Sequence, residues 1–197
     1  MTASASGIPI DQWVKGLEAL PSDDFTDQVN RYVRTNLVSR ESLEPYAFFE
    51  RDHYTRNLIF KNDLFEVMAL CWEPGQISRM HNHRDQQCWM VMADGRLENV
   101  NYRISERDAE AGTCRVQPST SLLITREQPM TVDEDEPVHQ VTNCMHANQR
   151  ALSVHIYSKP FDTCEIYTPQ ADGRWSYGDV QLSYWSEHGQ RTPAPTT

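Results

Sequence analysis

Two histidines, His81 and His83, stand two positions apart in the stretch Gly75 to Gly95, GQISRMHNHRDQQCWMVMADG, and a cysteine, Cys88, follows five positions after the second. On a helix, residues at i and i+2 nearly oppose one another, whereas on a strand they project from the same face. Two imidazoles on one strand face, following a glycine in a β-rich chain, point to a metal pair rather than to two unrelated polar strand residues, because neutral imidazole is a common ligand for divalent transition metals. A third ligand is then required. His53, His139, His146, His155 and His188 remain, and periodicity alone does not choose among them.

The elements that must position such a site follow from the hydrophobic pattern. Trp13, Leu17 and Leu20 share one face of a first helix, and Phe25, Val29, Tyr32 and Val33 keep helical spacing after a cap at Ser22 or Asp23. A short third helix starts near Ser39. Beyond Tyr46 the texture changes to short apolar runs: NLIF, FEVMALCW, CWMVM, RLENVNYRI, SLLIT, VHQVTN, ALSVHIYS and VQLSYW. Asp94-Gly95 reads as a hairpin turn between two of them. Strands at this spacing, with no helices between them, predict a mainly β, antiparallel sandwich or barrel after a helical segment. The expected division is a helical segment over 1–45 packed on the barrel, a β-barrel over 46–190 and a tail over 191–197, docked if at all through Arg191 or Pro193, within one domain.

Charge and cysteine usage narrow the partners. With 197 residues the chain can bury a sizeable core, and its formal net charge of −10 disfavours nucleic acid and anionic membrane surfaces. An anionic small molecule must therefore be drawn by a local cation. Five cysteines with no CxxC spacing fit free thiols in a reducing compartment. The N-terminal residues lack a basic segment followed by an apolar run, so the expectation is a cytoplasmic protein, read here as a monomer.

The wider spacing around the histidines resembles the first motif of the cupin superfamily: Gly75, five residues, His81-x-His83, four residues, Cys88, six residues, Gly95. The family's usual glutamate falls at Cys88. His139 with Asn143 supplies the His-x-x-x-Asn of a second motif, although Pro137 precedes it without the usual glycine. This resemblance implies a cupin (jelly-roll type) β-barrel with His81, His83 and His139 as metal ligands and no carboxylate among them. Three neutral imidazoles leave a divalent cation uncompensated and keep positions open for an anionic ligand and dioxygen.

Six segments in order, YTRNL at 54–58, CW at 71–72, HNHRDQQC at 81–88, VHQVTN at 138–143, SVHIYSKPFDTC at 153–164 and GQRTP at 189–193, together resemble the cysteine dioxygenase family. The likeness implies Fe(II) on His81, His83 and His139, with a small-molecule thiol and O2 as partners, and L-cysteine sulfinic acid as the product of L-cysteine. It implies that Arg56 pairs with the substrate carboxylate through its guanidinium fork, with Tyr54 supporting the same pocket. Ser153 and His155 would orient Tyr157 by hydrogen bonds beside the iron, so that His155 is a supporting residue and not a ligand. Cys88 matches the cysteine that animal members join to Tyr157 by a thioether. In an unbroken strand Cys88 would point away from His81 and His83, so a turn or bulge at 84–86 must reset the phase. Cys164 is expected as a packing residue. Ser158-Lys159-Pro160 departs from the family's Ser-Pro-Pro, which commonly has a cis bond at the first proline. Related thiols, 3-mercaptopropionate or cysteamine, are alternative substrates, although mercaptopropionate relatives usually have glutamine at the Arg56 position; a metal-binding cupin without turnover is the alternative outside the enzymes.

Overall fold

The computed structural model describes residues 7–84, 86–132, 137–145 and 148–193. His146, Asp85 and the last four residues of the tail lie outside the described residues. Helix α1 (Ile10–Glu18) buries Ile10, Trp13, Val14 and Leu17, and helix α2 (Phe25–Thr35) buries Phe25, Val29 and Val33, as a 3.6-residue period requires. The third helical piece is a 3-10 turn over Glu41–Tyr46. A cap at Ser22 or Asp23 is not formed. Asp24, at a left-handed φ of 57°, precedes Phe25, so Ser22 and Asp23 are set too far back to reach the free N–H groups of the first turn.

Thirteen strands follow among the described residues, in two sheets. The first sheet is built on β1 (Thr55–Lys61), β2 (Glu66–Trp72), β9 (Ala151–Ser158) and β4 (Gln87–Asp94), with β7 (Met130–Thr131) at one edge and β12 (Ser186–Glu187) and β13 (Gln190–Arg191) at the other. The second closes on itself in the order β10 (Thr163–Pro169), β11 (Trp175–Gln181), β6 (Thr113–Ile124), β5 (Leu97–Asp108), β8 (Val138–Thr142) and β3 (Met80–His81). Neighbours are antiparallel except β1 with β12. The result is a mainly β barrel with small N-terminal helices.

The central strands are covered on both faces, which explains why FEVMALCW reads as an unbroken apolar run. Val67, Ala69, Trp89, Val91, Val154 and Ile156 pack with Trp13, Leu17 and Val29 of the helices, while Met68, Leu70, Cys88, Met90 and Tyr157 face the barrel interior. The interior face of these strands supplies one wall of the site.

Two further expectations are corrected. Asp94-Gly95 is a turn, with Gly95 at φ +69° and its N–H donating to Asp94 Oδ1, but it does not close a hairpin. β4 bonds to β9 and β7 while β5 bonds to β6 and β8, so the turn hands the chain from one sheet to the other. A Cβ at Gly95 would also lie 2.6 Å from the Arg150 carbonyl oxygen. The second correction concerns VQLSYW, whose ladder stops at Gln181. The Leu182 N–H donates instead to the Asp162 carbonyl in the connection between β9 and β10, and the Trp185 N–H to the Arg56 carbonyl on β1. No helix among the described residues is long and apolar enough to cross a membrane. The Arg191 guanidinium lies 4.3 Å from the Trp185 ring centroid and pairs with Glu50 at 3.3 Å, docking the start of the tail.

Leu17 is fully buried between helix and sheet. Leu17→Ala is expected to cost about 2–5 kcal/mol, read from the urea midpoint in a single unfolding transition. A separate early transition for the helices would show that they are not part of the barrel's cooperative unit.

Candidate metal centre and its cavity

A cavity of about 1190 Å³ is lined from both sheets, and His81, His83 and His139 meet in its wall. His81 ends β3 and is the cross-strand partner of His139 on β8 and of Ile166 on β10. His83 is not on that strand. β3 ends at His81, the Asn82 N–H donates to the Glu165 carbonyl at 3.1 Å, and the chain turns at Arg84 with φ +50°. The shared strand face expected for the pair is therefore replaced by a strand end and a turn, yet the two rings still converge, with centroids 5.0 Å apart.

Hydrogen bonds on the far side of two of the rings set which nitrogen faces inward. His81 Nδ1–H donates to the Arg79 carbonyl at 2.7 Å. His139 Nδ1–H donates to Asn99 Oδ1 at 2.7 Å, and the Asn99 amide nitrogen is committed to Asn101 Oδ1, which leaves the Asn99 oxygen as the acceptor. Both Nε2 lone pairs then point at His83 Nε2, at 3.2 Å from His81 and 3.3 Å from His139. One proton on His83 cannot satisfy two lone pairs. A shared cation can: three nitrogens about 2.1 Å from one metal at right angles lie about 3.0 Å apart. The donor set, three neutral imidazoles with buried neighbours, fits a divalent transition metal, and these three residues form a group able to hold a metal ion.

A directional relay lies beside this group. Trp72 Nε1–H can only donate, and it donates to Ser153 Oγ at 3.1 Å. The Ser153 hydroxyl then donates to His155 Nε2 at 3.0 Å, so His155 Nδ1–H donates to Tyr157 Oη at 3.2 Å. The Tyr157 oxygen accepts, and its own proton is left for another acceptor. Burial holds that phenol well above its ordinary pKa, so it stays protonated at neutral pH. Cys88 faces Tyr157 directly across β4 and β9. The phase reset that this requires occurs at the turn at Arg84, with the Gln86 N–H donating to the His83 carbonyl at 3.0 Å. Burial also pushes the Cys88 thiol up, with a hydrogen bond to Tyr157 opposing it.

Arg56 lines the cavity, and its Nη1 is buried without a hydrogen-bond partner. A buried guanidinium nitrogen left unpaired is costly, and a carboxylate in the cavity would pair it. Tyr54 stacks on Trp72 with centroids 4.2 Å apart and lines the same wall. Cys164 also lines the cavity and is buried. The Ser158-Lys159 bond is cis, and the Lys159 N–H donates to Gln86 Oε1 at 2.5 Å. Of the other histidines, His53 and His188 do not join the three: His53 lies against Trp185, and His188 bonds the Ile59 carbonyl. Sequence reasoning missed Asn99, Phe161, Glu66 and Tyr184. Asn99 had a signal, an amide at an inward position of the alternating run Leu97, Asn99, Asn101.

The imidazoles of the site are held neutral. Burial lowers His81 to about 4 and His155 to about 3, and burial with the neighbouring imidazoles holds His83 and His139 well below the ordinary value. In the unfolded chain these rings take up protons near pH 6.5, whereas the folded ones stay bare, so between about 6.5 and 4 the unfolded state binds more protons. Stability must then fall as pH falls through that window. Urea midpoints of the metal-free protein are expected to drop progressively from pH 6.5 to 4; a flat profile would show that the rings are not buried neutral.

A family model described as cysteine dioxygenase type I matches residues 26–170. Cysteine dioxygenase type 1 of Danio rerio is 29% identical over 174 residues, covering 85% of this chain and 83% of that protein. The Homo sapiens protein of the same name is 29% identical over 153 residues, covering 77% and 72%. A solved cupin superfamily protein from Desulfitobacterium hafniense aligns over 57% of this chain and 84% of its own length, at 8% identity and a TM-score of 0.41. With three facing imidazoles in its cavity and a family match across most of its length, the chain belongs to the cysteine dioxygenase type I family.

Proposed function

We propose that this chain is an Fe(II)-dependent dioxygenase that adds both atoms of O2 to the thiol of L-cysteine to give L-cysteine sulfinic acid. The observation that carries this reading is the convergence of three neutral imidazole Nε2 atoms, 3.2 and 3.3 Å apart, in one cavity with an unpartnered buried arginine nitrogen. Fe(II) on His81, His83 and His139 would supply uncompensated positive charge that draws a thiolate, and open positions that bring sulfur and O2 together. The reaction balances without another reductant, since a thiol plus O2 has the composition of a sulfinic acid.

The remaining roles fall to the chain's own side chains. Arg56 binds the substrate carboxylate with its paired donors, which orients the thiol end toward the histidines. Tyr157, held by the relay from Trp72 through Ser153 and His155, offers its proton to the substrate carboxylate or to oxygen. Stacked Tyr54 and Trp72 keep water from that wall. Cys88 and Tyr157, facing each other across β4 and β9, would join as a thioether, Sγ bonding a ring carbon while the S–H and ring C–H hydrogens and two electrons pass to one O2, which leaves as hydrogen peroxide.

Iron-loaded protein is expected to consume O2 and form sulfinate with L-cysteine in preference to cysteamine and 3-mercaptopropionate. Turnover of none of the three would end the proposal, and preference for cysteamine would remove Arg56 from it. Arg56→Ala is expected to raise KM for cysteine by about 10- to 100-fold, the worth of a hydrogen bond to a charged group, with iron content unchanged. Loss of iron instead would make Arg56 structural. After turnover, intact mass is expected to fall by two hydrogens, and Cys88→Ala to keep its full mass; a wild-type mass that never changes would refute the thioether.

A further inference from the structure

Two side chains of opposite charge each leave one buried atom unsatisfied in the barrel, Nη1 of the half-buried Arg56 and Oε1 of Glu66. Glu66 is fully buried. The strand register explains how close they could come. On β1 and β2, Arg56 stands opposite Leu70 and Lys61 stands opposite Glu66, so the two charged residues are separated by four residues along adjacent strands, about 13 Å at the usual rise. Long side chains reaching toward each other can close such a gap. A guanidinium with a buried, unpaired nitrogen and a buried carboxylate within reach should pair, because an unpaired charge is expensive away from water.

Tyr184 lies in that interval. The Arg56 guanidinium carbon is 5.8 Å from its ring centroid, inside the range of a cation–π contact, and its hydroxyl donates to Glu66 Oε2 at 2.5 Å. Lys61 Nζ donates to the same hydroxyl at 3.1 Å and lies 3.6 Å from Glu66 Oε2. The backbone is fixed as well, since the Trp185 N–H donates to the Arg56 carbonyl at 2.7 Å. Tyr184 is therefore tied to the anion at its hydroxyl, while its ring meets two cations, Arg56 and Lys61, the latter 5.6 Å from the centroid.

We infer that Tyr184 is a positioning residue that keeps Arg56 and Glu66 from neutralising each other, so that the guanidinium stays open for a substrate carboxylate. The Lys61–Tyr184 tether partly compensates Glu66 in place, and the ring holds the guanidinium without offering it a competing anion. Glu66 is then the latent competitor for Arg56, and Tyr184 sets how strongly the site binds carboxylate-bearing thiols relative to those without one. This rests on the reading of Arg56 as the carboxylate partner.

The test is a double-mutant cycle on the iron-loaded protein with L-cysteine, and with cysteamine, which has no carboxylate. Tyr184→Ala is expected to raise KM for cysteine about tenfold with little change in kcat or in KM for cysteamine, because Arg56 collapses onto Glu66. Adding Glu66→Gln is expected to bring KM back to within about threefold of the parent, since the competing charge is gone. Tyr184→Phe, which keeps the ring and removes the tether, should shift KM in the same direction by about threefold and respond to Glu66→Gln likewise. A KM that does not rise, or a rise that Glu66→Gln fails to relieve, overturns the inference. If Arg56→Ala raises KM while Tyr184 and Glu66 are uncoupled, only this inference falls; if Arg56→Ala leaves KM unmoved, the carboxylate reading falls with it.

Discussion

Three imidazole nitrogens turned toward one point, with no proton able to satisfy all of them, are the constraint on which the rest of the molecule depends. Lone pairs at 3.2 and 3.3 Å repel unless a cation sits among them. The protein holds that arrangement from behind, through the Arg79 carbonyl on His81 and the Asn99 amide oxygen on His139. Burial keeps the rings uncharged and available as ligands. A set without a carboxylate leaves the charge of a divalent ion to be met by something else, and on the proposed reading that is a thiolate.

The barrel makes this possible because it brings distant segments into register. His81 and His139 are cross-strand partners, and the closed second sheet fixes them without a loop between them. Opposite them stands the first sheet, whose inward row Ser153, His155 and Tyr157 carries the relay and whose outward row is sealed by the N-terminal helices. The helices thus serve the site indirectly, by making the strands that carry it buried on both faces. Arg56, Glu66 and Tyr184 form a second polar layer, and on the proposed reading how its charges are shared decides what the cavity accepts.

Much of this was legible in the residues. The period-two runs located the main strands, and the helical spacing of Trp13, Leu17, Phe25, Val29 and Val33 located the two helices. His81 and His83 pointed to a metal from spacing alone, but the third histidine came only with the family resemblance, because pairing of β3 with β8 is a long-range choice that local pattern does not encode. The hairpin expected at Asp94-Gly95 failed for the same reason: a turn signal fixes local backbone, not which strands bond beyond it. Short strands such as β3, β7, β12 and β13 have too few residues to show a period. Glu66 escaped notice because a single acid inside the apolar run FEVMALCW reads as a strand-edge residue, and its partners Lys61 and Tyr184 come from either end of the barrel sequence.

The central claim is that the neutral three-histidine set receives a thiolate directly. The measurement that tests it is X-ray absorption at the iron edge of Fe(II)-loaded protein, with and without L-cysteine under anaerobic conditions. The account predicts a nitrogen and oxygen shell that gains one sulfur neighbour when cysteine is added and does not change with L-serine. A shell without sulfur in saturating cysteine would contradict it.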